Sequence, residues 1–250
     1  MDAVTPVQTN GLGYSYEDGT EALSDVSLAI RDGEKWGLIG ANGAGKTTLL
    51  LLLAGLLRRT SGAIELFGTT VADDVPDSVR HRVGVVFPNP DDQLFSPTVF
   101  EDVVFGPLNL GVARDVAHDR THAVLERVGL ADFESRVPQH LSTGEKRTVA
   151  IATVLAMEPS LILFDEPTSG LDPHSRARIV DLIRTLDGTH IVATHDFDVV
   201  LEICDQVALL AEGKVVVTGT PREVLGNEKL LQEHGLIQPR WLPYLLDNTP

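Results

Sequence analysis

Residues 40–47 read GANGAGKT, in which two glycines flank a four-residue gap and Lys and Thr follow. Small residues let backbone amides close around a phosphate group, and a helix that starts there adds positive potential. The segment follows an apolar run at 36–39 and opens a predicted apolar helix over 46–57, which is the context that such a loop requires. We expect Lys46 to reach the terminal phosphates of a nucleotide and Thr47 to reach magnesium. The alternative is a glycine-rich turn without a ligand.

A second candidate segment, LILFDE at 161–166, is an apolar run that ends in two carboxylates. Taken alone, it could equally be a buried strand followed by solvated acids. With a phosphate loop in the same chain, it predicts a magnesium-linked carboxylate at Asp165. The neighbouring Glu166 would then be a base that orients and deprotonates water.

A third segment, LSTGEK at 141–146, has the composition of a helix start. Ser142 or Thr143 would be the N-cap residue, with Glu145 or Lys146 in the first turn. By itself the segment predicts helix capping only.

A phosphate loop, a Leu-Ser-x-Gly segment and an Asp-Glu strand in this order resemble the ATP-binding cassette (ABC) ATPases, and the resemblance covers nearly the whole chain. It implies that two cassettes enclose two ATP molecules, and that Ser142 and Gly144 of one contact the γ-phosphate held by the other. It also implies that Tyr16 stacks on adenine, that SGLD at 169–172 crosses the dimer, and that His195 contacts the γ-phosphate as a switch. The implied catalytic residues are Glu166, His195 and Lys46, and the implied magnesium ligands are Thr47 and Asp165. The implied nucleotide contacts are Tyr16, Gly40, Ala41, Asn42, Gly43, Ala44, Gly45, Lys46, Thr47, Thr48, Ser142, Gly144 and Asp172.

The chain departs from the family pattern at three positions. Thr143 stands where the family usually has Gly, and Glu145 stands where it usually has Gln. Pro88 stands where the family has a glutamine that senses magnesium and the attacking water. A proline side chain can do neither, so we expect water, Asn89 or Gln93 to take the polar role.

Two further segments, NPDDQLF at 89–95 and TVFEDVVFGPLNLG at 98–111, resemble ATPase subunits of energy-coupling factor importers, including the cobalt and nickel group. Such subunits dock on integral membrane transport components, and pair as a homodimer or as a heterodimer with a related ATPase. The resemblance thus implies uptake of a metal ion or vitamin. The alternatives are the ATPase of another ABC transporter class, a soluble cassette protein without a transport role, and a small-molecule P-loop kinase.

The elements that must position these residues form an α/β fold. Apolar runs at 36–39, 83–87, 161–164 and 191–193 predict buried parallel strands, and alternation at 12–16, 23–30 and 63–67 predicts a flanking antiparallel sheet. The resemblance identifies the core as a P-loop NTPase (RecA-like) sheet. Helices over 113–128 and 145–157 indicate an inserted α-helical subdomain at about 90–158. We expect an ATPase domain over 1–225 and a tail, 226–250, that packs on the domain or on a partner.

Composition narrows the setting of the chain. Its 250 residues are 43% hydrophobic, which suits a full core, and the apolar run at 49–57 is too short to span a membrane. Cys204 is the single cysteine, so no internal disulfide can form. The net charge of -16 disfavours nucleic acid as a partner, because phosphate backbones require clustered cations. Few lysines and many acids suit either a high-salt cytoplasm or an ordinary acidic protein. The resemblance to importer ATPase subunits implies a peripheral location at the cytoplasmic face of the membrane.

Overall fold

We describe the protein from a computed structural model that covers residues 5–72, 75–239 and 241–242. The chain divides into two compact units. The first comprises the chain up to Arg80 and from Gly188 onward, and the second comprises His81–Asp187. Within the described ranges, no helix combines the length and apolar character needed to cross a membrane.

The described residues form ten strands and nine α-helices. In chain order the strands are β1 (Val7–Ser15), β2 (Glu21–Ile30), β3 (Lys35–Ile39), β4 (Ser61–Leu66), β5 (Thr69–Val71), β6 (Val83–Val86), β7 (Leu161–Asp165), β8 (Thr189–Ala193), β9 (Gln206–Ala211) and β10 (Lys214–Gly219). The helices are α1 (Lys46–Leu53), α2 (Asp77–Arg80), α3 (Val99–Asn109), α4 (Arg114–Arg127), α5 (Thr143–Leu155), α6 (Pro173–Arg184), α7 (Phe197–Ile203), α8 (Pro221–Leu225) and α9 (Glu228–Glu233). This mixture of parallel and antiparallel strands with helices confirms the predicted α/β class.

The first unit contains the antiparallel sheet that alternation predicts. Its strand order is β2-β1-β4-β5. Leu12, Leu23 and Ile64 are buried, as expected for strands with one apolar face. The strand β1 begins at Val7, earlier than predicted. The strand β5 adds an edge that was not predicted, because its three residues, although β-branched, are too few to show an alternating pattern.

The first unit also contains parallel strands. β3 pairs in parallel with β8 and with β9, so that Trp36 lies opposite Ile191 on one side and Gln206 on the other. β10 pairs antiparallel with β9. The predicted runs at 36–39 and 191–193 are confirmed as strands, whereas β9 and β10 were not predicted, because periodicity alone does not separate a short apolar run from a buried helix.

The second unit pairs β6 and β7 in parallel, with Val83 opposite Leu161 and Val86 opposite Phe164. Its helices α3, α4 and α5 enclose an apolar cluster that includes Val103, Leu125 and Val149. The predicted helices agree with α4 and α5 within about two residues. The predicted subdomain at about 90–158 lies within this unit, but its boundaries, like the domain end at 225, remain predictions.

The described part of the C-terminal segment packs against the chain. Leu231 and Leu242 are fully buried, and the Gln238 Nε2 atom donates to the Leu225 carbonyl at 2.7 Å. The remaining residues of the expected tail, 240 and 243–250, lie outside the described residues. The boundary of the tail at 226 stays a prediction.

Candidate nucleotide-binding site

The loop at 40–45 connects β3 to α1 and ends on a left-handed residue. Gly45 has φ 103°, and a Cβ atom there would lie 2.6 Å from the Ala22 carbonyl oxygen, so this position requires glycine. Among the described residues, no side chain caps α1, and its first turn contains no acid. The positive end of α1 is therefore not neutralised by its own side chains, which suits anion binding.

Lys46 points its ammonium group at this loop. Its Nζ atom donates to the Gly40 carbonyl at 2.8 Å and to the Ala41 carbonyl at 3.2 Å, and the residue is only 8% exposed. A charged donor is thus held at the loop where the sequence predicts phosphate. Thr47, the predicted magnesium ligand, begins α1 beside it and is exposed.

Tyr16 lies next to α1. Its hydroxyl and the Thr48 Oγ1 atom are 2.9 Å apart and form a hydrogen bond. Its ring packs edge-on against Tyr14, with centroids 4.9 Å apart, and the residue remains 40% exposed. The structure therefore brings two predicted nucleotide contacts together and leaves an aromatic surface open to a planar ligand.

In the second unit, the two predicted acids lie at the carboxyl end of β7. Asp165 is the last residue of the strand and is 4% exposed. Glu166 follows with φ 48°, a left-handed conformation that costs a residue other than glycine about 1–3 kcal/mol. Glu158 has the same conformation, with φ 53°, at a surface position. The position of Glu166 next to Asp165 at the end of β7, and not its backbone alone, therefore favours a functional role.

Arg147 is a buried cation beside these acids that the sequence analysis missed. It lies on α5, is 1% exposed, and donates to the carbonyls of Phe87 at 2.6 Å and Pro88. Burial lowers the pKa of its guanidinium, whereas the charges of Asp165 and Glu166 raise it. The sequence contained one signal for it: Arg147 stands two residues before the apolar residues 149–152 of a predicted helix.

The loop after β6 is fastened to α5 by two further contacts. The Gln93 Oε1 atom accepts from the Phe87 amide at 3.2 Å, while its Nε2 atom donates to the Ala150 carbonyl and the Thr153 hydroxyl, both at 2.8 Å. Asp91 and Lys146 form an ion pair at 2.7 Å. Gln93 thus links the end of β6 to α5. Because its side-chain amide is already bonded at both ends, Gln93 is not favoured for the polar role that the family's glutamine has at the position of Pro88. Asn89, whose side chain accepts from the Asp91 amide at 3.2 Å, and water remain predictions.

Ser142 is the N-cap residue of α5, which confirms the first of the two predicted alternatives, Ser142 and Thr143. The Ser142 amide and hydroxyl both donate to the Glu145 Oε2 atom at 2.7 Å, and the Glu145 amide donates to the Ser142 Oγ atom at 3.4 Å. This is a complete capping box. The hydrogen bonds from Ser142 hold the pKa of Glu145 below its usual value.

The starts of α5 and α6 lie against each other. A Cβ atom at Gly144 would be 2.4 Å from the Ser175 Oγ atom, so glycine is needed for this close approach. Asp172 caps α6, accepting from the His174 amide at 2.9 Å and the Ser175 amide at 3.1 Å. Two segments predicted to face a second cassette, around Gly144 and around Asp172, are therefore neighbours in this unit.

His195 follows β8 in the first unit and is exposed. It lines a hollow of about 420 Å³ with Asp198, Leu236 and Trp241 among its neighbours. Its predicted contact with a γ-phosphate remains an expectation.

Comparison with known protein families gives one consistent result. The family model described as "ABC transporter" matches residues 23–169, which is more than half of the chain. The chain is 42% identical over 248 residues to the energy-coupling factor transporter ATP-binding protein EcfA of Methanosphaera stadtmanae, covering 97% of this chain and 89% of that protein. It is also 42% identical over 239 residues to EcfA of Methanothermobacter thermautotrophicus, covering 94% of this chain and 77% of that protein.

A solved structure is similar over the same extent. CbiO1 of Clostridium perfringens, described as part of the ABC transporter complex CbiONQ, superimposes with a TM-score of 0.82 at 36% sequence identity. The alignment covers 97% of this chain and 99% of that one. The likeness therefore extends over nearly the whole length of both chains.

Proposed function

Because the chain belongs to the ABC transporter family, whose ATP-binding proteins hydrolyse ATP, we propose that it is the ATPase subunit of an energy-coupling factor importer. The observation that carries this proposal is the 42% identity over 97% of the chain to a protein named for that transporter type. CbiO1, described as part of the ABC transporter complex CbiONQ, supports a role in transport. The resemblance of residues 89–95 and 98–111 to importer ATPases of the cobalt and nickel group leads us to propose a metal ion or vitamin as the transported substrate.

In the proposed reaction the first unit binds ATP. Tyr16, with its open ring, stacks on adenine, and the amides of residues 40–48 receive the phosphates at the start of α1. Lys46 exchanges its carbonyl partners for phosphate oxygens, which are stronger acceptors for an ammonium group.

Magnesium fits the donors that the chain offers. A hydroxyl at Thr47 and a buried carboxylate at Asp165 are the oxygen ligands that this ion prefers when ATP phosphates supply others. When bound, the ion neutralises charge on the phosphates of ATP. The part that falls to this chain is to hold the Asp165 carboxylate at the end of β7, close to the positive charge of Arg147.

Hydrolysis needs a base and a second copy of the site. Glu166, held in its left-handed conformation, orients and deprotonates the attacking water, and His195 contacts the γ-phosphate. The start of α5, where Ser142 is exposed and Gly144 is half-buried, and the capped start of α6 at Asp172 are presented to a partner cassette. We propose a homodimer or a heterodimer with a related ATPase.

The contacts between the loop after β6 and α5 suggest how the chemistry reaches a membrane partner. The loop is joined to α5, the helix that Ser142 caps, through Arg147, Lys146 and Gln93. A shift of that helix on ATP binding would therefore move the loop with it. Integral membrane components that dock beside the loop would then move with it. We accordingly propose a peripheral location at the cytoplasmic face of the membrane.

Copurification from membranes tests the transporter assignment. A tagged chain, solubilised with mild detergent from membranes of its native host, should bring down integral membrane components of an energy-coupling factor importer in fixed ratio. Identification by mass spectrometry distinguishes the alternatives. Membrane proteins of another ABC class, or a purely soluble partner, would contradict the proposal.

A further inference from the structure

The Glu145 carboxylate occupies the donors that the proposed site offers to phosphate. Its Oε2 atom accepts from both the amide and the hydroxyl of Ser142, each at 2.7 Å. The hydroxyl has one proton, so it cannot donate to this carboxylate and to a γ-phosphate oxygen at the same time. The charge of Glu145 also reduces the positive potential at the start of α5, which would otherwise attract phosphate.

We propose that Glu145 is an internal competitor of the γ-phosphate: it closes the start of α5 in the resting chain and must release Ser142 before ATP on a second copy can be held there. This inference rests on the proposed function, because it requires Ser142 to contact nucleotide across a dimer. Glu145 is thereby a positioning residue that sets how much ATP and protein are needed to form the closed dimer.

Charges around Glu145 support this role. The hydrogen bonds from Ser142, followed by the charges of Arg136 and Arg178, lower the pKa of its carboxyl, so the competitor is ionised at neutral pH. Arg136 stacks on Phe133 with its guanidinium carbon 3.7 Å from the ring centre. Arg178 lies on α6 beside the same helix start. These two cations can still attract the carboxylate after it leaves Ser142, so release does not require protonation.

The chain contains a second capping box that serves as a matched control. The Thr220 amide and hydroxyl donate to the Glu223 Oε2 atom at 2.8 and 2.9 Å, and the Glu223 amide donates to the Thr220 Oγ1 atom at 3.3 Å. The chemistry is the same, but α8 carries none of the predicted nucleotide contacts. Glutamine can replace glutamate in both boxes, but its neutral amide oxygen accepts these bonds more weakly than a carboxylate does, so the donors are released more easily.

The test compares Glu145→Gln with Glu223→Gln, each combined with Glu166→Gln to prevent turnover. ATP-dependent dimerisation is measured by sedimentation at a series of protein concentrations, and unfolding by thermal melting. We expect both substitutions to lower Tm slightly and to a similar extent. Only Glu145→Gln should lower the concentration for half-dimerisation, by roughly two- to thirtyfold, the range that a capping interaction controls.

The outcomes separate the inference from the function on which it rests. If the Glu166→Gln chain dimerises with ATP and Glu145→Gln leaves the midpoint unchanged or raises it, the competitor role is wrong and the composite site stands. If the Glu166→Gln chain forms no ATP-dependent dimer at any concentration, either with itself or with a related ATPase recovered by copurification, the composite site and the competitor role are both wrong. If Glu223→Gln lowers the protein concentration for half-dimerisation as much as Glu145→Gln does, the competitor role is also wrong. Loss of a negative charge far from the site would then have the same effect on dimerisation.

Discussion

Replacing Glu166 by glutamine is expected to lower kcat for ATP hydrolysis by about 10²- to 10⁴-fold, the contribution of a well-placed general base, while ATP remains bound. Glutamine keeps the size and hydrogen-bonding reach of the side chain but cannot accept a proton from water. The substitution changes only the end of the side chain, so we expect residue 166 to keep its left-handed backbone conformation. Phosphate release and equilibrium ATP binding, measured on the same preparation, separate the two effects.

Glu158→Gln is the matched control for this experiment. Glu158 belongs to the same unit, also has a left-handed backbone with φ 53°, and forms a surface ion pair with Arg120 at 2.9 Å. We expect its turnover to stay at the wild-type value. A Glu166→Gln chain that keeps more than about a tenth of wild-type kcat would exclude Glu166 as the base.

Replacing Lys46 by methionine should have a different consequence, the loss of ATP binding itself. The substitution keeps a side chain of similar length against the carbonyls of Gly40 and Ala41 but removes the charge. Charge-assisted hydrogen bonds to phosphate are strong, so we expect ATP affinity to fall by roughly 10- to 100-fold. Titration calorimetry checks this.

Lys229→Met provides the comparison, because Lys229 is an exposed lysine in the same unit, paired with Glu233 at 3.7 Å. Its ATP affinity should equal that of the wild type. If the Lys46→Met chain bound ATP with unchanged affinity, the ammonium group of Lys46 would not contact phosphate.

The candidate site was predictable where its signal is local. The loop at 40–47 and the acidic end of β7 depend on neighbours in sequence, and so does the Ser142 cap, whose partner Glu145 is three residues away. A strand, a turn and a helix start are each specified by a few adjacent residues. These features could therefore be located before the fold was known.

The contacts that were missed join residues far apart in the chain. Arg147 bonds to the Phe87 carbonyl 60 positions away, and Gln93 bonds to the Ala150 carbonyl 57 positions away. No periodicity encodes such a pair, since it depends on how α5 packs beside β6. The hydrogen bonds between Ser142 and Glu145 are local in sequence. That Glu145 could compete with phosphate for the Ser142 hydroxyl follows only from the structure, which shows that this hydroxyl donates to the carboxylate.

One chain cannot complete the proposed site, so ATP turnover should depend on protein concentration. Turnover per chain and the dimer fraction should be measured on the same samples, the latter by sedimentation in the presence of ATP. We expect turnover to rise in proportion to the dimer fraction and to vanish as the chain becomes monomeric. Full turnover per chain in samples that remain entirely monomeric would contradict it.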